Sequence, residues 1–153
     1  LFPYTTLFRS HETGRTRGIR ILSDTELKQG DVSQSYVSSL MHRTYPNTVT
    51  LKKVLQAIWF QINSSQEIFV VGTILDDNTV KGGTGWGAEF AKLCNKSLYV
   101  FDQDKDCWFK WEDLKWIEFP EPKITNANFA GTGTRTLKEN GKRAIEELFK
   151  RSF

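Results

Sequence analysis

The chain has 153 residues, 25% of them charged, with a formal net charge of +3. That length suits one α/β domain with a sizeable core, no apolar run reaches membrane-spanning length, and the dispersed basic residues argue against nucleic acid as the partner. Cys94 and Cys107 have no metal-ligand spacing and fit a reduced, cytoplasmic protein, while five Trp in so short a chain belong either to packing or to a base-stacking pocket.

Residues 1–10 read LFPYTTLFRS, which looks like a translated sequencing adaptor rather than native protein. On that reading residues 11–153 form the domain, and a first strand has been lost or replaced. The alternative is that the segment is real and supplies a short strand around Leu7-Phe8. Ile19-Arg20-Ile21-Leu22 is a strand candidate. Residues 33–43 carry Tyr36, Val37, Leu40 and Met41 at helical spacing, and Tyr45-Pro46-Asn47 ends that helix. Asn47 or Thr48 caps the next one, whose face is Val54, Leu55, Ile58, Trp59 and Ile62. Residues 67–73, EIFVVGT, form a continuous β-branched run expected of a strand covered on both faces. Asp76-Asp77-Asn78 is a turn.

Thr84 then caps a helix over residues 85–93, and residues 97–102, SLYVFD, are a second buried strand. The alternation of Cys107, Phe109 and Trp111 with Trp108, Lys110 and Glu112, a turn at Asp113 and a further apolar run at 115–119 predict a small antiparallel ribbon. Residues 126–130 make a short strand. A last helix starts near Thr136, where Thr136-x-x-Glu139 has capping-box spacing, and Gly141 inside it implies a close contact. These elements predict one Rossmann-like α/β domain whose mainly parallel sheet contains residues 19–22, 67–73 and 97–102.

Two glycine-threonine segments carry the chemistry. Gly82-Gly83-Thr84-Gly85-Trp86-Gly87 lies between a strand and a helix, the context a phosphate site needs; Gly131-Thr132-Gly133-Thr134-Arg135 repeats it. Glycine admits an anion close to the backbone N–H groups, and threonine adds a hydroxyl. Arg135 offers a bidentate donor to phosphate or carboxylate, or else a surface ion pair. Glu89 either accepts from ribose hydroxyls or only complements the helix dipole. Trp86 covers a base or fills the core. Asp102 and Gln103 end a strand, where open α/β sheets hold ligands, or form a solvated turn. His11 and His42 are isolated. No catalytic triad, cofactor motif or metal constellation is visible.

The segment GGTGWGAEFA resembles the PGGxGTxxE signature of the SLOG superfamily. That superfamily includes the "lonely guy" phosphoribohydrolases, the lysine-decarboxylase-like proteins and the DNA-processing A proteins. RTYPNTVTLKKVLQ, VKGGTGWGAEFA, LYVFDQ, WFKW and FAGTGTRTLKENGKRAI together resemble a single-domain SLOG-like family of bacterial and phage proteins, over roughly residues 43–149. The resemblance implies a nucleotide- or ADP-ribose-binding domain, with Gly82, Gly83, Thr84 and Gly85 as the phosphate loop and Glu89 as the signature's acidic residue. Trp86 departs from the threonine of the hydrolases, and their upstream arginine has no clear counterpart. The implied functions are sequestration of a nucleotide-derived signal, as in phage anti-defence, or N-glycosidase action on a nucleoside 5′-monophosphate with Glu89 catalytic. A homodimer through the bulky face of residues 54–62 is expected, because one small sheet does not easily bury so many aromatic rings.

Overall fold

The computed structural model describes Leu7–Arg9 and residues 19–153. Two short strands, β1 (Leu7–Arg9) and β2 (Ile19–Ile21), pair in parallel. Three helices follow: α1 (Asp24–Lys28), α2 (Asp31–Met41) and α3 (Val49–Asn63). Then come β3 (Glu67–Gly72), α4 (Thr84–Leu93), β4 (Ser97–Asp102), β5 (Cys107–Glu112), β6 (Lys115–Glu118), β7 (Phe129–Gly133) and α5 (Glu139–Ser152).

Every residue of β3 is buried, so the strand must be covered on both faces and both edges. It is the penultimate strand of a sheet ordered β6-β5-β4-β3-β7. Both β4 and β7 pair with it in parallel, and β5 and β6 add an antiparallel ribbon on the far edge of β4. The α/β class and the ribbon are as the sequence predicts. Side chains alternate across the sheet with period two. Ile68, Val70, Leu98 and Val100 face Leu55, Ile62, Ala88 and Phe90 of α3 and α4. Phe69, Val71, Tyr99 and Phe101 face Ala144, Ile145, Leu148 and Phe149 of α5. Helices therefore cover both faces of the parallel strands. Each fully buried large apolar side chain contributes about 1.5–3 kcal/mol.

Several expectations need correction. Ile19–Ile21 does not join the main sheet; it pairs with Leu7–Arg9 instead, and β7 occupies the edge of β3. Leu22 packs with Leu27 and Ala57, beside Phe60. The strand at Leu7–Arg9 corresponds to the alternative reading of the first ten residues, and His11 lies outside the described residues. Helix α1 has a full capping box between Ser23 and Glu26 that its five residues give no periodicity to announce. Helix α2 closes on His42 in the left-handed region, at φ 55°, before Tyr45 and Pro46 are reached.

Gly131, Thr132 and Gly133 are strand rather than loop, because their backbone pairs with β3 as far as Val71 opposite Gly133. Helix α5 begins at Glu139 without a side-chain cap. The Thr136 hydroxyl lies 3.0 Å from that of Thr134 instead. The face of residues 54–62 expected to pair two copies is largely occupied within one chain. Leu55, Trp59 and Ile62 turn inward and are buried within one chain, as are Trp86 and Trp108, while Trp111 and Trp116 pack against the core's edge. The close contact at Gly141 is real: a Cβ there would overlap Gln103 Oε1 and come within 2.9 Å of Leu137 Cδ1.

Candidate functional site

The three parallel strands end together. Gly72 is level with Asp102 in register, and Val71 with Gly133. After β3 the chain doubles back through the Asp76–Asn78 turn: Leu75 N–H donates to Thr79, and Lys81 N–H donates to the Thr73 carbonyl at 2.9 Å. This return sets Gly82 beside the strand end with φ +75°, where glycine is the residue without a steric cost. Helix α4 starts one residue past Gly83. Its N-terminal N–H groups therefore open at the carboxyl edge of the sheet, where open α/β sheets receive ligands. Among the described residues no acceptor meets the N–H groups of Gly82, Gly83 or Thr84. These are orphan donors of a helix start, carrying its partial positive charge.

Arg43 holds this loop from behind. Its guanidinium donates to the carbonyls of Gly82 (3.1 Å) and Val80 (3.0 Å) and to the Thr79 hydroxyl (3.2 Å). With those carbonyls turned back onto Arg43, the loop's N–H groups face the other way. A cleft of about 560 Å³ lies before them. Its far wall is Thr132, Gly133, Thr134, Arg135, Thr136 and Lys138. Gly72, Thr73, Gln103 and Asp104 form the floor at the strand ends, and Leu51, Val54, Leu55 and Ile58 of α3 make an apolar side.

Gln103 joins the floor to the far wall. Its Oε1 accepts from Lys138 N–H at 2.7 Å, its Nε2 donates to the Thr136 carbonyl at 3.2 Å, and its own carbonyl accepts from Asn140 at 2.8 Å. Gly141 is the residue that lets α5 come this close. Three cations line the cleft, Lys81, Arg135 and Lys138, against one carboxylate, Asp104. Lys138 hydrogen-bonds Asp104 at 2.9 Å and holds its carboxyl below the usual carboxylate range. The lining thus carries two positive charges in excess. No three His, Cys, Asp or Glu side chains among the described residues are grouped to hold a metal ion, and no helix among them is long and apolar enough to cross a membrane.

Both glycine-threonine segments line this one cleft, through Gly82, Gly83 and Thr84 on one side and Thr132, Gly133, Thr134 and Arg135 on the other, with Gln103 between. The other candidates lie elsewhere. Gly85 packs against the Val80 carbonyl and Arg43. Trp86 is core, with its ring 5.7 Å from that of Tyr45. Glu89 pairs with Lys92 at 3.1 Å, and Lys92 Nζ sits 4.0 Å from the centre of the Trp111 ring; burial lowers the pKa of this lysine, and Glu89 opposes that. Asp102 is fully buried and accepts from the N–H groups of Ile74, Asp104 and Lys105, so it builds the turn. Gly131 accepts Gln61 Nε2 at 2.8 Å. Thr84 contributes its N–H only, since its hydroxyl donates to the Lys81 carbonyl.

Sequence reasoning missed Thr73, Lys81, Asp104, Thr136, Lys138 and the α3 wall. Val54, Leu55 and Ile58 were visible as part of an apolar helix face, but nothing in the pattern says that its first turns, with Leu51, overhang a cleft. No protein-family model, curated protein or solved structure matches this chain.

Proposed function

We propose that the chain is a SLOG-like binding protein that holds a nucleotide-derived anion in this cleft and sequesters it rather than cutting it. One observation carries the proposal: the unpartnered N–H row at Gly82, Gly83 and Thr84 opens on a strand-end cleft that also presents Arg135 and Lys81. Such a row with two free-standing cations suits phosphate oxygens. The aliphatic side of the cleft suits the flat, weakly polar face of a base. Sequestration is favoured over hydrolysis because Glu89, the acidic residue of the signature, is engaged with Lys92 outside the cleft, and the cleft's own carboxylate is paired with Lys138. A general acid must carry its proton to the reacting group; Glu89 does not line the cleft, and Lys138 holds Asp104 in its ionised form.

The test is calorimetric titration with nucleoside monophosphates, ADP-ribose and cyclic dinucleotides, together with chromatography for released base. Binding by the wild type without free base is expected. Arg135→Ala should weaken it by about 1.5–3 kcal/mol, the value of a hydrogen bond to a charged group. Gly83→Val should block it by filling the space before the N–H row. Affinity unchanged in both variants would overturn the site. Release of base by the wild type but not by Glu89→Gln would overturn sequestration.

A further inference from the structure

Asp104 is out of place in an anion site. It is the single carboxylate among the described residues that line the cleft, and a negative charge there works against a phosphate. Lys138 neutralises it through Oδ1 at 2.9 Å. Its other oxygen, Oδ2, meets only the Thr73 hydroxyl, at 3.5 Å. That is well beyond the 2.5–3.0 Å of a formed O–H···O bond. A carboxylate has about four acceptor positions, so Oδ2, beside the cleft-lining Thr73, has its capacity almost unused.

The backbone fixes where this carboxylate stands. Asp102 Oδ1 accepts from Asp104 N–H at 2.9 Å and from Lys105 N–H at 3.0 Å, which folds the chain over as soon as β4 ends. Asp104 is thereby held at the tip of the strand beside β3, one strand away from the glycine loop that follows β3. In dinucleotide-binding sheets an acidic residue at the end of the strand next to the glycine loop accepts the ribose hydroxyls. The physical reason is general: a phosphate held at the loop puts the sugar of a 5′-nucleotide over the neighbouring strand end. A pair of hydroxyls donating to Oδ2 would replace the long Thr73 contact with short, charge-assisted ones.

We infer that Asp104 reads the sugar of the bound nucleotide by accepting from its 2′- and 3′-hydroxyls, so the cleft selects ribonucleotides over 2′-deoxyribonucleotides. This rests on the proposed nucleotide site. It gives to Asp104 the sugar contact that the signature assigns to Glu89, and it makes the charge balance of the cleft purposeful: Lys138 keeps Asp104 ionised and shields the phosphate from it.

The test titrates the wild type and Asp104→Asn with matched pairs, AMP against 2′-deoxy-AMP and GMP against 2′-deoxy-GMP, by calorimetry. The wild type should prefer the ribose member of a pair by about tenfold, the lower end for a hydrogen bond to a charged acceptor. Asp104→Asn should erase that preference by weakening the ribonucleotide while leaving the deoxynucleotide as tight or tighter. Because Asp104 is exposed and its pair with Lys138 is a surface one, the variant should melt with the wild type. Equal binding of both members of a pair by the wild type, or an equal loss of both in Asp104→Asn, overturns the inference and leaves the nucleotide site standing. Failure of every member of every pair to bind overturns the reading of the cleft as a nucleoside-monophosphate site, and the inference with it.

Discussion

Two glycines of one motif, Gly83 and Gly85, should respond oppositely to the same methyl group. At Gly83 the backbone is ordinary helix, φ −62° and ψ −33°, and an added Cβ meets nothing nearer than Leu55 Cδ2 at 3.9 Å. Gly83→Ala should therefore shift stability by no more than about 0.5 kcal/mol. At Gly85 a Cβ would overlap the Val80 carbonyl oxygen and come within 2.7 Å of Arg43 Nη1. The obstacle is backbone, so no rotamer relieves it. Either the first turn of α4 or the Val80 carbonyl must move, and Arg43 is bonded to both sides of that gap. Losing two of its contacts, at about 1.5–3 kcal/mol each, outweighs the 1 kcal/mol or so that alanine adds in a helix. The net loss is about 2–5 kcal/mol, or roughly 4–20 °C in melting temperature for a chain of this size. Thermal denaturation followed by circular dichroism measures both variants. A Gly85→Ala protein that melts within 2 °C of the wild type, or a Gly83→Ala protein damaged as badly, would refute the assignment of Gly85 to packing and Gly83 to the cleft.

Gly141→Ala should destabilise by about 1 kcal/mol despite its helix propensity, because the methyl displaces Gln103 from Lys138 N–H and the Thr136 carbonyl; a raised melting temperature would count against that. Leu114 sits at φ 61° in the β5–β6 turn, following Asp113 at φ 52°, so Leu114→Gly should stabilise by about 1 kcal/mol, visible as a melting point higher by roughly 2–4 °C. Burial, and then the hydrogen bond to Asp31, raise the Tyr45 pKa well above that of a free phenol. The proton is held more tightly in the folded state, so this contribution is intact below the unfolded pKa of about 10 and is lost as pH rises above it. Phenolate absorbance should show Tyr45 ionising only with unfolding, and Tyr45→Phe should blunt the alkaline loss of stability; early ionisation in the native protein would contradict this.

The elements that bury apolar side chains on a regular period were legible. The runs EIFVVG and SLYVFD and the stripe through Leu55, Trp59 and Ile62 could be placed because burial leaves its period in the residue types. The strand read at residues 126–130 lies at Phe129–Gly133; its far end was hidden because that pairing is made by backbone, and Gly131, Thr132 and Gly133 bring almost no apolar signal. The glycine loop was legible as a donor row, but its neighbours were misassigned for a geometric reason. Past Thr84 the chain is helical and turns about 100° per residue, so Trp86 and Glu89 leave the cleft although they follow the loop in sequence. Asp104 and Lys138 enter it from separate strand ends, a convergence that only the sheet order creates.

That sheet order also dictates how the molecule is put together. Within the main sheet, β3 with β4, β4 with β5 and β5 with β6 all join consecutive strands, so this part assembles from neighbouring segments. β7 alone must return past β4 and the ribbon to reach β3, and non-local pairing is the slow kind. The wall bearing Thr132, Thr134 and Arg135 is thus the part expected to dock last, onto a scaffold that already displays the donor row at α4. A partner that needs both walls can engage only the completed chain. By mass action it draws the late-docking strand home, adding about 2.7 kcal/mol at a hundredfold excess over its dissociation constant. A ligand that bridged both walls would thus clasp the fold and favour the last step of its assembly.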